Sequence, residues 1–144
     1  MDPVKRYKEY EQAFEVFFES NDPSVLEQFF TETAVHHTIA GPPLGNRVEG
    51  RDAILAAFVA SVDGLDRRFD SRHIEDQRYK EVDGASVAVL QFRLCLAGVP
   101  NIEMEVEERA EFEGNRISLL EDRMSDETSA AVAQWMAEHG DKIA

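Results

Sequence analysis

Two kinds of hydrophobic spacing divide the chain. Near the N-terminus the large apolar side chains recur every three or four positions, at Tyr7, Tyr10, Phe14 and Phe17, which is the spacing of one helix face. Between residues 85 and 113 apolar and polar positions alternate instead, as in a strand with one buried face. Helices are predicted over 3–20, 23–30, 51–63 and 126–139. Strands are predicted over 34–39, 68–82, 85–97, 102–113 and 116–124.

Turn residues separate these elements. Asp83-Gly84 is a strong hairpin signal, and Gly98–Asn101 and Gly114-Asn115 mark two further turns. The Gly/Pro-rich segment 41–50 excludes a helix or a central strand. Helices that bracket one short strand, then a four-strand meander, then a closing helix predict a single α+β domain over 1–144. Its expected form is a strongly bent antiparallel sheet with helices on the concave side.

Composition narrows the possible partners. The chain has 144 residues and a formal net charge of −14, so nucleic acid and anionic membranes are not expected partners. No apolar run approaches the length of a membrane span, and no signal peptide is expected. Cys95 is the single cysteine, which excludes an internal disulfide and favours a reducing, cytoplasmic location. The absence of a Gly-rich phosphate loop and of a Cys/His cluster predicts no cofactor and no bound metal.

The hairpin formed by the two longest alternating strands has one mostly apolar face. A turn at 98–101 that pairs Leu96 with Met104 places Phe92 opposite Glu108 on that face. A slip by one residue would mix leucines with glutamates on both faces, so this parity is preferred. An inward carboxylate is costly unless it is paired or protonated, which makes Glu108 a candidate functional residue. The alternative is that Glu108 lies near the end of the sheet and reaches water.

The last strand admits two parities. A two-residue turn would place inward Ile117, Leu119, Glu121 and Arg123. A three-residue turn, from Gly114 to Arg116, would place inward Ser118, Leu120, Asp122 and Met124. The second arrangement puts Asp122 opposite Glu108 on the inner face. The alternation pattern leaves both open.

Two adjacent histidines lie in the first predicted strand. His36 and Thr38 share a face, whereas His37 points to the other side, so the pair cannot chelate one metal ion. His36 is a candidate site residue, and the alternative is a hydrogen-bonded histidine at a strand end. His73 lies on the polar second strand, where the pattern does not determine its direction.

The segment from Phe29 to Ile54, FFTETAVHHTIAGPPLGNRVEGRDAI, resembles the nuclear transport factor 2-like superfamily in its SnoaL-like, limonene epoxide hydrolase and ketosteroid isomerase branch. The shared order is helix, strand, Gly/Pro loop, "GRDAI" and helix. The resemblance implies a cystatin-like cone with a pocket at its mouth, and it puts His36 and Thr38 on the pocket side. The segment EDRMSD at 121–126 matches a family segment whose second residue is a pocket carboxylate, which favours the parity with Asp122 inward.

The resemblance does not select one reaction, because the branches share a scaffold and differ in chemistry. Against ketosteroid isomerase, Glu108 falls where that family has an acidic oxyanion donor, but Phe14 and Thr38 replace its tyrosine and its base. Against limonene epoxide hydrolase, Asp122 matches one pocket aspartate, while apolar residues, Phe92 among them, replace its arginine and second aspartate. Against SnoaL-like polyketide cyclases, Asp122 matches a carboxylate that does acid/base work.

Two functional hypotheses follow. The first is a cofactor-free enzyme of isomerase, cyclase or hydrolase type that acts on an apolar small molecule, with Asp122, His36 and Glu108 as catalytic residues. Two carboxylates across one strand pair do not both ionise easily, so one is expected to act as acid and the other as base. The substrate-binding residues are predicted to be Thr38, Phe14, Phe92, Val106 and Leu120. The second hypothesis is a non-catalytic ligand-binding or interaction domain of the same fold.

The resemblance also implies a homodimer through the outer face of the sheet. The apolar centre of that face is predicted to be Val87, Val89 and Leu119. Around this centre lies the row Glu103, Glu105 and Glu107, which is expected either to stay at the rim or to pair with the arginines of the partner subunit, namely Arg93, Arg109 and Arg123.

Overall fold

A computed structural model describes all residues, 1–144, and it confirms the α+β class. Three α-helices are present: α1 (Pro3–Ser20), α2 (Arg51–Gly64) and α3 (Asp126–His139). Six strands are present: β1 (Phe30–Ile39), β2 (Asn46–Glu49), β3 (Ser71–Val82), β4 (Ala85–Cys95), β5 (Ile102–Glu113) and β6 (Arg116–Arg123). Short 3-10 helices are formed by Pro23–Phe29, Asp66–Arg68 and Gly140–Ile143.

The long helices begin and end at the residues that the sequence indicates. The Asp2 carboxylate accepts hydrogen bonds from the backbone N–H groups of Val4 and Lys5, and Pro3 occupies the first position of α1. The helix ends at Asn21, which adopts a left-handed conformation with φ of 57°. The predicted second α-helix is instead a 3-10 helix, and the Gly/Pro-rich segment contains the short edge strand β2.

The six strands form one sheet in the order β2-β1-β6-β5-β4-β3. The meander from β3 to β6 is antiparallel, as predicted. One pairing differs from the expected antiparallel sheet, because β1 runs parallel to β6. The N-terminal strand thus lies beside the last strand, and the intervening helix and meander form the long connection that a parallel pair requires.

The β4–β5 hairpin has the predicted faces but a different register. Phe92 lies opposite Met104 and Ala88 lies opposite Glu108, so the predicted pairs of Leu96 with Met104 and of Phe92 with Glu108 are wrong by four residues along β4. Because four is an even number, every side chain keeps its predicted face. On the outer face, the partner of Arg93 is correspondingly Glu103.

The shift arises because the connection between β4 and β5 bonds to groups outside the hairpin. The Ala97 N–H donates to Asp70 Oδ2 at 2.8 Å, and the Trp135 indole donates to the Pro100 carbonyl at 2.7 Å. The Cys95 carbonyl accepts from the Asp70 N–H at 2.8 Å. These bonds end β4 early and leave a connection of 96–101 instead of a tight turn.

A β-bulge at Ser118 makes the last strand follow one of the two predicted inward-facing patterns before the bulge and the other pattern after it. The turn at Gly114–Asn115 has two residues, so the predicted three-residue turn is wrong, and Ile117 faces inward with no exposed surface. Ser118 is then an extra residue without a partner in the β5–β6 pairing. Beyond the bulge the parity changes, and Asp122 lies directly opposite Glu108 on the inner face.

Two hydrophobic clusters cover the inner face. The larger lies between α1, α2 and the sheet, and its largest fully buried members are Tyr7, Phe17, Phe30, Leu26 and Ile54. The smaller lies under α3 and comprises Phe69, Leu94, Ile102, Val132, Trp135 and Ile143. No helix in the chain combines the length and the apolar composition that crossing a membrane requires.

Candidate active site

A cavity of about 610 Å³ lies between α1, α2 and the inner face of the sheet. Fifteen of its 27 lining residues are hydrophobic, and its size suits a small organic ligand. The lining includes all eight side chains proposed from the sequence: Phe14, His36, Thr38, Phe92, Val106, Glu108, Leu120 and Asp122.

A pair of carboxyl groups forms the polar centre of this cavity. Glu108 on β5 and Asp122 on β6 are direct partners across the strand pair, so their side chains leave the sheet on the same face. The Tyr7 hydroxyl donates to Glu108 Oε1 at 2.6 Å. His36 Nε2 lies 2.9 Å from Asp122 Oδ2. The other carboxyl oxygen, Asp122 Oδ1, is buried without a hydrogen-bond partner.

Burial controls the protonation of these groups. Burial raises the pKa of Glu108 well above its ordinary value, and the nearby Asp122 carboxylate raises it further. Burial also raises the pKa of Asp122 and lowers the pKa of His36. These pKa shifts favour the neutral acid form of Glu108 and the neutral imidazole form of His36.

This protonation state satisfies the unpartnered oxygen of Asp122. A proton on Glu108 can be shared with Asp122 Oδ1, and the neutral His36 ring can donate its Nε2 proton to Asp122 Oδ2. Tyr7, Glu108, Asp122 and His36 then form a single chain of proton-bearing groups along the cavity wall. Since these residues come from α1, β5, β6 and β1, this hydrogen-bonded series depends on the three adjacent strands β1, β6 and β5 and on the packing of α1 against them.

Two other histidines, His37 and His73, lie away from this series of hydrogen-bonded side chains. His37 points to the outer face, where its Nδ1 is 4.0 Å from Glu121 Oε2. His73 is exposed, with its Nε2 3.0 Å from the Ser71 hydroxyl. Nowhere in the protein do three His, Cys, Asp or Glu side chains come together in a group suited to holding a metal ion.

Comparison with solved structures shows what kind of fold holds this site. An NTF2-like protein of unknown function from Burkholderia pseudomallei superposes with a TM-score of 0.65 and 14% identity, over 94% of this chain and 95% of that chain. A Catenulispora acidiphila protein with a ketosteroid isomerase-like fold was solved in complex with trimethylamine. It superposes with a TM-score of 0.62 and 14% identity, over 85% of this chain and 90% of that chain. The chain has the nuclear transport factor 2-like fold.

A Bacillus subtilis protein provisionally designated an isomerase is similar to the same degree. It gives a TM-score of 0.68 at 16% identity, over 92% of this chain and 96% of that chain. No protein-family model and no curated protein matches the sequence significantly. At such identities the nuclear transport factor 2-like fold is established by shape, and the chemistry must be argued from the cavity.

Sequence reasoning missed the tyrosines of this nuclear transport factor 2-like cavity. Tyr7 has no exposed surface, yet its hydroxyl bonds to the inward carboxyl of Glu108. Tyr10 is buried beside it and also lines the cavity. The resemblance matches the family tyrosine to Phe14, which lies on the same helix face. The available signal is that Tyr7 and Tyr10 carry the only hydroxyl groups on that aromatic face.

Sequence reasoning also missed two polar clusters at the cavity wall. In the first, the Tyr79 hydroxyl donates to Glu11 Oε1 at 2.6 Å, and burial raises the pKa of Glu11 to about 7. In the second, Arg72 Nε donates to Asp66 at 3.0 Å and its Nη1 donates to Glu15 at 2.8 Å. Both clusters use β3, whose side-chain directions change at an irregularity between residues 75 and 78.

Proposed function

We propose that this chain is a cofactor-free acid/base enzyme of the isomerase, cyclase or hydrolase type, acting on an apolar small molecule held in the cavity. The observation that carries the proposal is the facing pair of Glu108 and Asp122, with His36 on one side and Tyr7 on the other. A buried carboxyl pair of this kind is costly for stability, and perturbed carboxyls that line a cavity are typical of functional sites.

Each member of the pair has a distinct role in the proposed mechanism. Asp122 accepts a proton from the substrate, and its raised pKa makes it a stronger base than an exposed aspartate. Glu108 returns its own proton to a second position of the substrate. Transfer of the captured proton from Asp122 to Glu108 then restores the starting state, so that an isomerisation needs no external acid or base.

The partners of the pair position it. The side chains of His36 and Asp122 are 16% and 15% exposed, so both reach the cavity while remaining largely buried. The His36 imidazole orients Asp122, and the Tyr7 hydroxyl orients Glu108. The apolar walls limit water near the pair, and they are formed by Phe14, Phe92, Val106 and Leu120.

Deuterium exchange tests this proposal across a whole class of candidate substrates. A panel of apolar ketones and cyclic carbonyl compounds is incubated with the protein in heavy water and followed by proton NMR. We expect catalysed exchange next to the carbonyl in at least one member. Asp122→Asn should keep the fold, judged by circular dichroism, and abolish that exchange. Glu121→Gln, which changes the neighbouring carboxylate on the outer face, should retain it. Unchanged exchange in Asp122→Asn would remove Asp122 from the mechanism.

A second candidate function is a non-catalytic ligand-binding domain. It is favoured by the Catenulispora acidiphila protein, which has a similar fold and was solved with a small organic molecule. In that case the same cavity binds members of the panel without catalysing exchange, and Asp122→Asn changes affinity alone.

A further inference from the structure

We infer that the ligand of this cavity is cationic: an apolar amine whose ammonium head contacts carboxyl groups that form no ion pair with a lysine or an arginine of the protein. The inference deepens the proposed function, and it rests on that proposal only in taking this cavity as the ligand site.

The cavity wall carries an excess of acidic groups. Its carboxyl side chains are Glu11, Glu15, Asp66, Glu108 and Asp122. Its permanent cations are Lys8 and Arg72. A partly enclosed site lined mainly by one sign of charge attracts ligands of the opposite sign.

The guanidinium of Arg72 is already neutralised. Its Nε bonds to Asp66 and its Nη1 bonds to both carboxylate oxygens of Glu15, at 2.8 and 3.1 Å. Its side chain is only 8% exposed, so the pairing takes place largely out of water. Two carboxylates on one guanidinium leave this end of the cavity with a net negative charge. An anionic ligand therefore finds no free cation there.

The three remaining carboxyls have only uncharged partners. Glu11 accepts from the Tyr79 hydroxyl, Glu108 accepts from the Tyr7 hydroxyl, and Asp122 faces the neutral His36 ring. None of the three forms an ion pair with a lysine or an arginine. Asp122 Oδ1 is buried, and the donor available to it in the protein is the proton of the uncharged Glu108. A protonated amine supplies the positive charge that these partners lack, and its N–H group can donate to Asp122 Oδ1 in place of Glu108.

The rest of the wall suits an ammonium group with apolar substituents. Six aromatic rings line the cavity: Tyr7, Tyr10, Phe14, Phe58, Tyr79 and Phe92. The faces of such rings attract cations, more strongly when water is excluded. The protein already uses this attraction, because the Lys8 ammonium lies 4.6 Å from the centre of the Tyr79 ring. Aromatic faces together with unpaired carboxyls favour an amine over a neutral ligand of the same shape.

Glu11 gives this inference a pH signature. The charged and titratable groups that face it are Glu15 and Lys8 from α1, Tyr79 from β3 and Glu108 from β5. With a pKa of about 7, Glu11 gains its negative charge between pH 6 and pH 8. The affinity for a cation should rise over that interval, whereas the affinity for a neutral ligand should not.

Three cyclohexyl compounds test the inference, because they share a ring and differ in the charge of a similar head group. N,N-dimethylcyclohexylamine is cationic, cyclohexyl methyl ketone is neutral and cyclohexanecarboxylate is anionic at these pH values. Dissociation constants are measured by calorimetry or ligand-observed NMR at pH 6 and pH 8. We expect the amine to bind about tenfold or more tightly than the ketone at pH 8, with a smaller ratio at pH 6. The carboxylate should bind weakest.

Matched variants locate the charge. Glu11→Gln should weaken amine binding several-fold at pH 8, remove its pH dependence and leave ketone binding unchanged. Glu19→Gln, an exposed change on the same helix, should affect neither ligand. Ketone binding as tight as amine binding would overturn the inference of charge and leave the cavity as a ligand site. Binding of none of the three would overturn the inference together with its premise that the cavity holds a ligand. Exchange catalysis, assayed separately, decides the acid/base proposal.

Discussion

Replacing Tyr7 by phenylalanine removes one oxygen atom from a side chain that has no exposed surface. The aromatic ring stays, so the packing changes little and no large cavity forms. The lost hydroxyl is the donor to Glu108 Oε1 at 2.6 Å, and no other hydrogen bond to that oxygen is present. Leaving a buried polar atom without its partner costs about 1–3 kcal/mol. We therefore expect Tyr7→Phe to lower the free energy of unfolding by about 2 kcal/mol.

Urea unfolding followed by far-UV circular dichroism measures this loss, and the neighbouring tyrosine provides a matched control. Tyr10 is 4% exposed, but its hydroxyl forms no hydrogen bond with another group of the protein. Tyr10→Phe should thus change the free energy of unfolding by about 0.5 kcal/mol or less. In a Glu108→Gln background, the cost of Tyr7→Phe should differ from its cost in the parent protein, because the two groups are coupled. Equal losses for Tyr7→Phe and Tyr10→Phe would refute the argument that the hydrogen bond to Glu108 is the source.

Two further predictions concern pH and assembly. The raised pKa of Glu11 means that the folded state binds the proton more tightly than the unfolded state, so this group makes stability fall as pH rises from about 4.5 to about 7. The free energy of unfolding of Glu11→Gln minus that of the parent protein, measured with urea, should therefore be larger at pH 8 than at pH 5. A stability difference that does not change with pH would contradict this sign. We also predict a homodimer through the outer face with Arg–Glu pairs at its rim. Its apolar centre is formed by Val89 and Leu119, because Val87, which the sequence also assigns to that centre, is only 6% exposed. Dissociation of this dimer should increase mildly with salt in sedimentation velocity, and a monomer at micromolar concentration at both low and high salt would exclude it.

The faces of the strands can be predicted from the sequence, because alternation survives errors in register. The parity of its neighbours assigns Glu108 to the inner face, and it lies there although its partner on β4 is Ala88 instead of Phe92. The register itself could not be predicted. It depends on bonds from Asp70 and Trp135 to the connection after β4, and these residues lie 27 and 35 positions away from their partners in the chain.

The candidate site is predictable to a similar extent. The resemblance to a known family and the alternation place His36 and Asp122 toward the pocket, where their side chains lie 2.9 Å apart. The role of Tyr7 is hidden in the sequence, because helical spacing gives the direction of a ring but not the partner of its hydroxyl, which is 101 residues away. Arg72 is hidden for a different reason. The sequence of β3 is polar on both faces and irregular in its pairing, so alternation carries no information there.

The bulge at Ser118 gives this fold a way to change its chemistry through chain length. The segment before the bulge obeys one parity and the segment after it obeys the other, so leaving Ser118 unpaired keeps Leu120 and Asp122 facing the cavity. Insertion of one further residue directly after Ser118, with the bulge kept, would place Leu119 opposite Ala110 and Glu121 opposite Glu108, and would turn both toward the ligand without altering any side chain. Deletion of Ser118 would instead make the strand regular and leave Leu120 and Asp122 inward. Substitution changes one contact at a time, whereas a one-residue insertion at this point exchanges a whole set of contacts on an intact scaffold. Sequence comparison that penalises gaps inside strands would overlook such events, and proteins related in this way would share a shape while their pocket residues no longer align.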